Sequence, residues 1–168
     1  MNKNDLRFQK TEIAIKSTYL ALKKRGSTNV KVKELCEDAM INKTTFYAHY
    51  ETIEHLHKAV CKDFVSDMIT QNHYIDSIQT SVSDLVYSVL GMFMENMDII
   101  EKLYGDDLFS LVNDAENILM EYSSSQILNE EYELAIKFCI GGAFRLLATE
   151  RDPKRIQITV ELVEKVLS

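Results

Sequence analysis

Proline occurs once in the 168 residues, at Pro153, and glycine only five times. Helix breakers are therefore scarce, and long helices are the default. No segment alternates apolar and polar residues with period two for long, so no sheet is required. The longest apolar runs, such as Phe138-Cys139-Ile140-Gly141-Gly142-Ala143-Phe144, fall well short of the roughly 18 residues that a spanning helix needs. Met1-Asn2-Lys3-Asn4-Asp5 does not lead into the apolar segment of a signal peptide. The expected location is the cytoplasm, with no membrane contact. Cys36, Cys61 and Cys139 are odd in number and widely spaced, which excludes a disulfide framework and predicts reduced, buried thiols. No Gly-rich phosphate loop, nucleophile elbow or HExxH is present. His55 and His57 are two apart on a helix and point to different sides, and His73 is remote from both, so no metal set forms and surface roles are expected. Neither catalysis nor a cofactor is expected.

What remains is a globular composition, 46% apolar and 27% charged, whose charge is unevenly divided. Residues 1–62 hold twelve Lys and Arg against seven Asp and Glu, whereas residues 63–168 hold seven against nineteen. A basic part that faces nucleic acid, joined to a part that avoids polyanions, has this asymmetry. The expected fold is all-α, with helical periodicity in segment after segment. Ile13, Ala14, Ser17, Leu20 and Ala21 mark a first helix from about Phe8 to Lys24, with Gly26 as its stop. Leu35, Cys36 and Ala39 line one side of a short second helix from Lys33 to Ala39, and Met40-Ile41 turns the chain. Asn42 is placed to cap a third helix running to about Tyr50, and Thr52 a fourth whose stripe of Ile53, Leu56, Val60, Phe64 and Met68 continues towards residue 72. Further helices are expected at about 77–96, 106–124, 130–149 and 153–167.

Two short helices joined by a three-residue turn match the motif that inserts a helix into the major groove of DNA. Phe46 and Tyr50, four apart, pack back onto Leu35 and Ala39 in this arrangement. Lys43, Thr44, Tyr47 and Ala48 then point outward. Lysine reaches guanine acceptors, threonine offers a hydroxyl and a methyl, and alanine touches the thymine methyl. Thr45 and His49 flank that face, where a hydroxyl and an imidazole suit phosphate oxygens. The alternative is a helical module that docks another protein on the 43–50 face.

The run Asn42-Lys43-Thr44-Thr45-Phe46-Tyr47-Ala48-His49-Tyr50 resembles the recognition helix of the TetR/AcrR family of transcriptional regulators. Val32-Lys33-Glu34-Leu35-Cys36-Glu37-Asp38-Ala39 resembles that family's second helix, and Glu54-His55-Leu56 the opening of its fourth. The resemblance implies Lys33, Lys43 and Thr44 at base edges and Thr45, Tyr47 and His49 at phosphates. Asn42 and Thr52, at the helix starts, complete the expected DNA-binding set. Met40 stands where the family usually has glycine, so the turn either uses another geometry or holds a non-glycine residue in a strained one. Lys31 and Val32 replace the usual threonines and leave the second helix weakly capped. Residues 1–52 would form the helix-turn-helix domain and 53–168 an effector-binding and dimerisation domain.

In that second part, residues 134–148 are apolar on nearly every side, which predicts burial all round, and Gly141-Gly142 permits close helix approach. The last helix carries two apolar rows, Ile156, Val160, Val163, Leu167 and Ile158, Leu162, Val166. One row is expected to meet a second subunit, as the family resemblance implies. The first of these rows, with Phe144, is the expected dimer interface. Tyr87, Met94, Tyr104, Phe109 and Phe138 are the expected lining of a pocket for an unidentified small-molecule effector. The combined expectation is a homodimeric, ligand-relieved repressor of a pseudo-palindromic double-stranded DNA operator.

Overall fold

The computed structural model describes residues 5–70 and 91–124, together with 134, 137–138, 141–142, 145, 154–155, 158, 161–162 and 165. Among them are six bounded helices: α1 (Leu6–Lys24), α2 (Val32–Asp38), α3 (Lys43–His49), α4 (Ile53–Thr70), α5 (Met97–Tyr104) and α6 (Leu108–Ser124). Residues 91–95 and the described C-terminal positions are also helical, and no strand occurs among the described residues.

α1 starts where the Asp5 carboxylate accepts the Arg7 amide at 2.8 Å, capping one of the orphan donors of the first turn. It ends in a paired-bond stop: Gly26 N–H donates to the Lys23 carbonyl and Ser27 N–H to that of Leu22, with Gly26 at φ +92°. Its buried row is Ile15, Tyr19 and Leu22. Ile13, expected on the inner face, is 66% exposed, and Ser17 is exposed as well. The true core row is therefore rotated along the same helix.

α2 has no side-chain cap at Lys31, as the missing threonines imply. It closes with the same pair of bonds as α1, from Met40 N–H to Glu37 and from Ile41 N–H to Cys36, and places Met40 at φ +53°. The turn thus keeps the geometry that glycine favours and holds methionine in it. Ile41 packs against the core behind the turn. Leu35, Cys36 and Phe46 are buried between α1, α2 and α3, and each full burial of a large apolar side chain contributes about 1.5–3 kcal/mol.

α4 packs on α1 along one side and on α6 along another. It buries Leu56, Val60, Cys61, Val65, Met68 and Ile69, and a single apolar cluster runs from Ile15 through α4 to Leu119. α5 was not among the expected helices. Asn96 ends residues 91–95 by donating its side-chain amide to the Met92 carbonyl at 2.7 Å. The chain then restarts with Ile99, Ile100, Leu103 and Tyr104 buried and α5 lying on α1 and α4.

The left-handed backbone at Met40 has a measurable cost, because a non-glycine residue there is strained by about 1–2 kcal/mol. The side chain is 92% exposed and loses no packing when removed. Glycine's greater unfolded-state freedom offsets about 0.5–1 kcal/mol of the gain. Met40→Gly should therefore raise stability in urea unfolding by roughly 0.5–1 kcal/mol; a lowered midpoint would contradict the strained turn.

Candidate nucleic-acid interface

The side of α3 that leaves the core is set by its two anchors. Phe46 is fully buried, its ring edge-on to Tyr47 at 5.3 Å, and Tyr50 donates its hydroxyl to Glu12 of α1 at 3.1 Å. Desolvation and the Glu12 carboxylate push the Tyr50 phenol well above its ordinary value, so it stays a donor. With these residues inward, Lys43, Thr44, Tyr47 and Ala48 are all exposed, and Tyr47 presents 56% of its surface. Lys33 stands on α2 with its side chain 75% exposed and a loose pair to Glu37 at 3.8 Å, a contact of the kind worth about 0–1 kcal/mol. A phosphate competes easily with such a pair.

Other expected contacts are already occupied within the chain. The Asn42 side-chain oxygen accepts both the Thr45 amide at 2.7 Å and the Thr45 hydroxyl at 2.9 Å, so in this state the Thr45 proton is committed to the helix cap. The Thr52 hydroxyl oxygen accepts the His55 amide at 3.1 Å and starts α4. His49 stacks on Phe8, ring centroids 3.8 Å apart, and its buried Nδ1 has no partner. Burial lowers its pKa, with Glu12 opposing; the ring favours its neutral form, which lacks the charge that draws a phosphate.

α1 ties the end of α3 to α4. Lys16 lies 3.6 Å from Glu12 and 2.7 Å from Asp63 of α4, so Tyr50, Glu12, Lys16 and Asp63 form a chain across α3, α1 and α4. Further along, the Tyr19 hydroxyl meets His57 Nδ1 at 3.0 Å. His57, expected at the surface, is instead half-buried between α1 and α4, with its Nε2 3.6 Å from the Cys61 sulfur. The Tyr50–Glu12, Lys16–Asp63 and Tyr19–His57 partnerships were not legible in the sequence, since they join residues 38 or 47 positions apart. Burial pushes the Cys61 thiol up to about 12 and raises that of Cys36, so neither supplies a thiolate at neutral pH.

Beside His57 and Cys61, between α4 and the start of α6, opens a cleft of about 340 Å³. Tyr104 lies at its floor and donates its hydroxyl to Asp114 at 2.9 Å. Of the four described residues expected to line an effector pocket, Tyr104 borders this cleft and the other three do not. Met94 is 42%, Phe109 83% and Phe138 71% exposed, so none of these three is enclosed, and Tyr87 lies outside the described residues. The segment expected to be buried all round bears Leu134 at 60% exposure besides Phe138. Phe144, Ile156, Val160, Val163 and Leu167 fall outside the described side chains. Ile158 and Leu162, of the other expected row, are each 52% exposed.

Three solved structures of transcriptional regulators are similar over nearly the whole chain. A TetR regulator from Streptococcus agalactiae superposes with a TM-score of 0.61 at 19% identity, covering 94% of this chain and 95% of its own. RolR, in complex with its ligand resorcinol, gives 0.61 at 18% identity over 96% of this chain and 89% of its own. A regulator from Streptomyces coelicolor gives 0.60 at 13% identity over 94% and 98%. The chain therefore has the all-α fold of TetR-type regulators. No protein-family model and no curated protein sequence matches it.

The seam between α1 and α4 should respond to pH. Desolvation first, and then Lys23, lower the His57 pKa, with Glu54 opposing. A base depressed in the folded state binds its proton more readily when unfolded. The stability it confers is complete above the unfolded value of about 6.5 and is lost as pH falls through the lower folded value. In its Nε2–H form the neutral ring accepts the Tyr19 proton, and a protonated ring cannot. Urea midpoints should fall from pH 7 to pH 5.5, and less steeply in His57→Gln; equal slopes in the two proteins would contradict a buried neutral His57.

Proposed function

We propose that the protein is a DNA-binding transcriptional regulator, a repressor that grips a pseudo-palindromic operator as a homodimer and is released by a small-molecule effector. The observation that carries this is the outward face of α3, where Lys43, Thr44, Tyr47 and Ala48 are presented together while Phe46 and Tyr50 lock the opposite face. A cation, a hydroxyl, a phenol and a methyl on one short helix suit base edges and phosphates. The excess of basic residues in 1–62 draws this end to a polyanion, and the acidic remainder keeps the rest of the chain away from it. The role is one of binding, not catalysis, and its place is the cytoplasm, where the operator is.

Residues 1–52 read DNA and 53–168 sense and pair. Leu134 and Phe138, four apart, and Ile158 and Leu162, four apart, put two large apolar steps on each of two helical faces open to solvent. Such patches mark interaction surfaces, and a self-complementary one gives the two-fold dimer that a pseudo-palindromic site requires. Among the described residues nothing lies within 4 Å of a Cβ placed on Gly142, which is consistent with a partner helix approaching there. The interface proposed from the exposed positions is the Ile158 and Leu162 row. An effector acts by favouring the subunit separation that does not fit DNA, and RolR, with resorcinol bound, is a structural parallel for ligand binding on this fold.

Titration against duplex DNA from immediately upstream of its own gene should give saturable binding that weakens steeply with salt, by a log–log slope of about 0.9 per phosphate neutralised. Tyr47→Phe should lose about tenfold or more in affinity, since a hydrogen bond to a charged group contributes about 1.5–3 kcal/mol. Lys43→Ala should lose about 1–3 kcal/mol, with fold and mass unchanged. Salt-insensitive binding to a protein, weakened in both variants, would transfer the 43–50 face to the interaction-module alternative.

Sedimentation should report twice the 19.4 kDa chain mass. Phe138→Asp and Leu162→Asp should each shift it towards one chain. A wild type that sediments as a monomer at micromolar concentration would contradict the pairing surface.

A further inference from the structure

The cleft between α4 and α6 has a charge pattern that the regulator's fold does not require. Its α4 wall carries Lys58 and Lys62, both exposed at the rim. Its opposite wall carries Asp107, exposed at the rim, and Asp114, half-buried. Among the described residues no ion pair joins either lysine to either aspartate. Lys62 reaches Glu121 instead, at 3.9 Å, while Asp107 caps the start of α6 by accepting from the Ser110 amide at 3.1 Å and hydroxyl at 2.7 Å. The floor is polar too: the Cys61 sulfur and the Tyr104 hydroxyl, the latter aligned by its bond to Asp114.

We infer that this cleft binds a small zwitterion of the amino-acid class, its carboxylate towards the α4 lysines and its ammonium towards Asp114 and Asp107. A simple anion would face the two carboxylates, and a simple cation the two lysines; only a molecule bearing both charges meets each wall with the opposite sign. At about 340 Å³ the space is at the small end for ligand pockets. The Tyr104 hydroxyl and the Asn113 amide at the rim supply neutral partners for a side chain. His57 borders the same cleft on one side and bonds Tyr19 of α1 on the other. An occupant that shifts His57 therefore bears directly on the seam holding the DNA-reading head, a consequence that rests on the regulator function proposed above.

Calorimetry of the full chain without DNA tests the site directly. The probes are the proteinogenic amino acids, β-alanine and 4-aminobutyrate, which differ in the separation of their charges, and the N-acetyl and carboxamide derivatives of any that bind. At least one probe should bind saturably, and removing either charge should weaken it by about tenfold or more. Asp114→Asn and Lys58→Gln should each do the same; Lys58 is exposed, so its variant folds and keeps the test decisive if the first does not. No binding by any probe, or equal binding of a singly charged derivative, overturns the assignment. The bound probe should also lower affinity for the upstream duplex, and Tyr19→Phe should keep the calorimetric signal but lose that effect. Binding without any change in DNA affinity would count against the regulator and leave the site standing. An unaltered response in Tyr19→Phe overturns the route through His57.

Discussion

The position of α1 between α3 and α4 governs the rest of the structure. Its buried row, Ile15, Tyr19 and Leu22, shares one core with Leu35 and Phe46 on the side of the head and with Leu56 and Val60 on the side of α4. Over this apolar contact lies a thin polar layer, Glu12 to Tyr50, Lys16 to Asp63 and Tyr19 to His57. The two layers differ in strength. Burial contributes about 1.5–3 kcal/mol per large side chain, whereas a hydrogen bond contributes about 0.5–1.5 and an exposed ion pair about 0–1 kcal/mol. The apolar core therefore holds α1, α3 and α4 together, and the polar layer adds directional contacts among them. An allosteric coupling of about 1–3 kcal/mol matches a change in one or two of those polar contacts, without disturbing the core.

That division also explains which side chains of α3 are left open to solvent. Local capping uses Asn42, Thr45 and Thr52 to begin α3 and α4, and packing uses Phe46, His49 and Tyr50. The residues left over, Lys43, Thr44, Tyr47 and Ala48, are the exposed ones, and of these Tyr47 also lies edge-on to Phe46. A recognition surface built in this way tolerates exchange of its outward side chains while the helix stays in place.

The head was legible in the sequence because its determinants are local. Asn42 and Thr52 cap where their side chains predict, and the bounds of α1 to α4 lie within about two residues of those expected from periodicity and stop signals. Even the departure at Met40 was readable as a choice, and the backbone takes the strained branch. Farther along, the signals weaken. The four buried residues of α5 have helical spacing, but no strong cap precedes them, because Asn96 bonds backwards to Met92. His57 looks like a solvated histidine until Tyr19 is brought against it from 38 positions away. Phe109 and Phe138 read as pocket lining by residue type alone, and in the single chain they are 83% and 71% exposed.

The account stands on the claim that two copies of α3, related by a two-fold axis, read successive major grooves. Selection of bound duplexes from a random-sequence pool tests it most directly, because it presupposes no operator. The account predicts an enriched inverted repeat whose half-sites are spaced by about one helical turn or a multiple of it, with the same positions relaxed in both halves when Lys43→Ala is used. Failure to enrich any sequence, or enrichment of a single asymmetric element unaffected by that substitution, would contradict it.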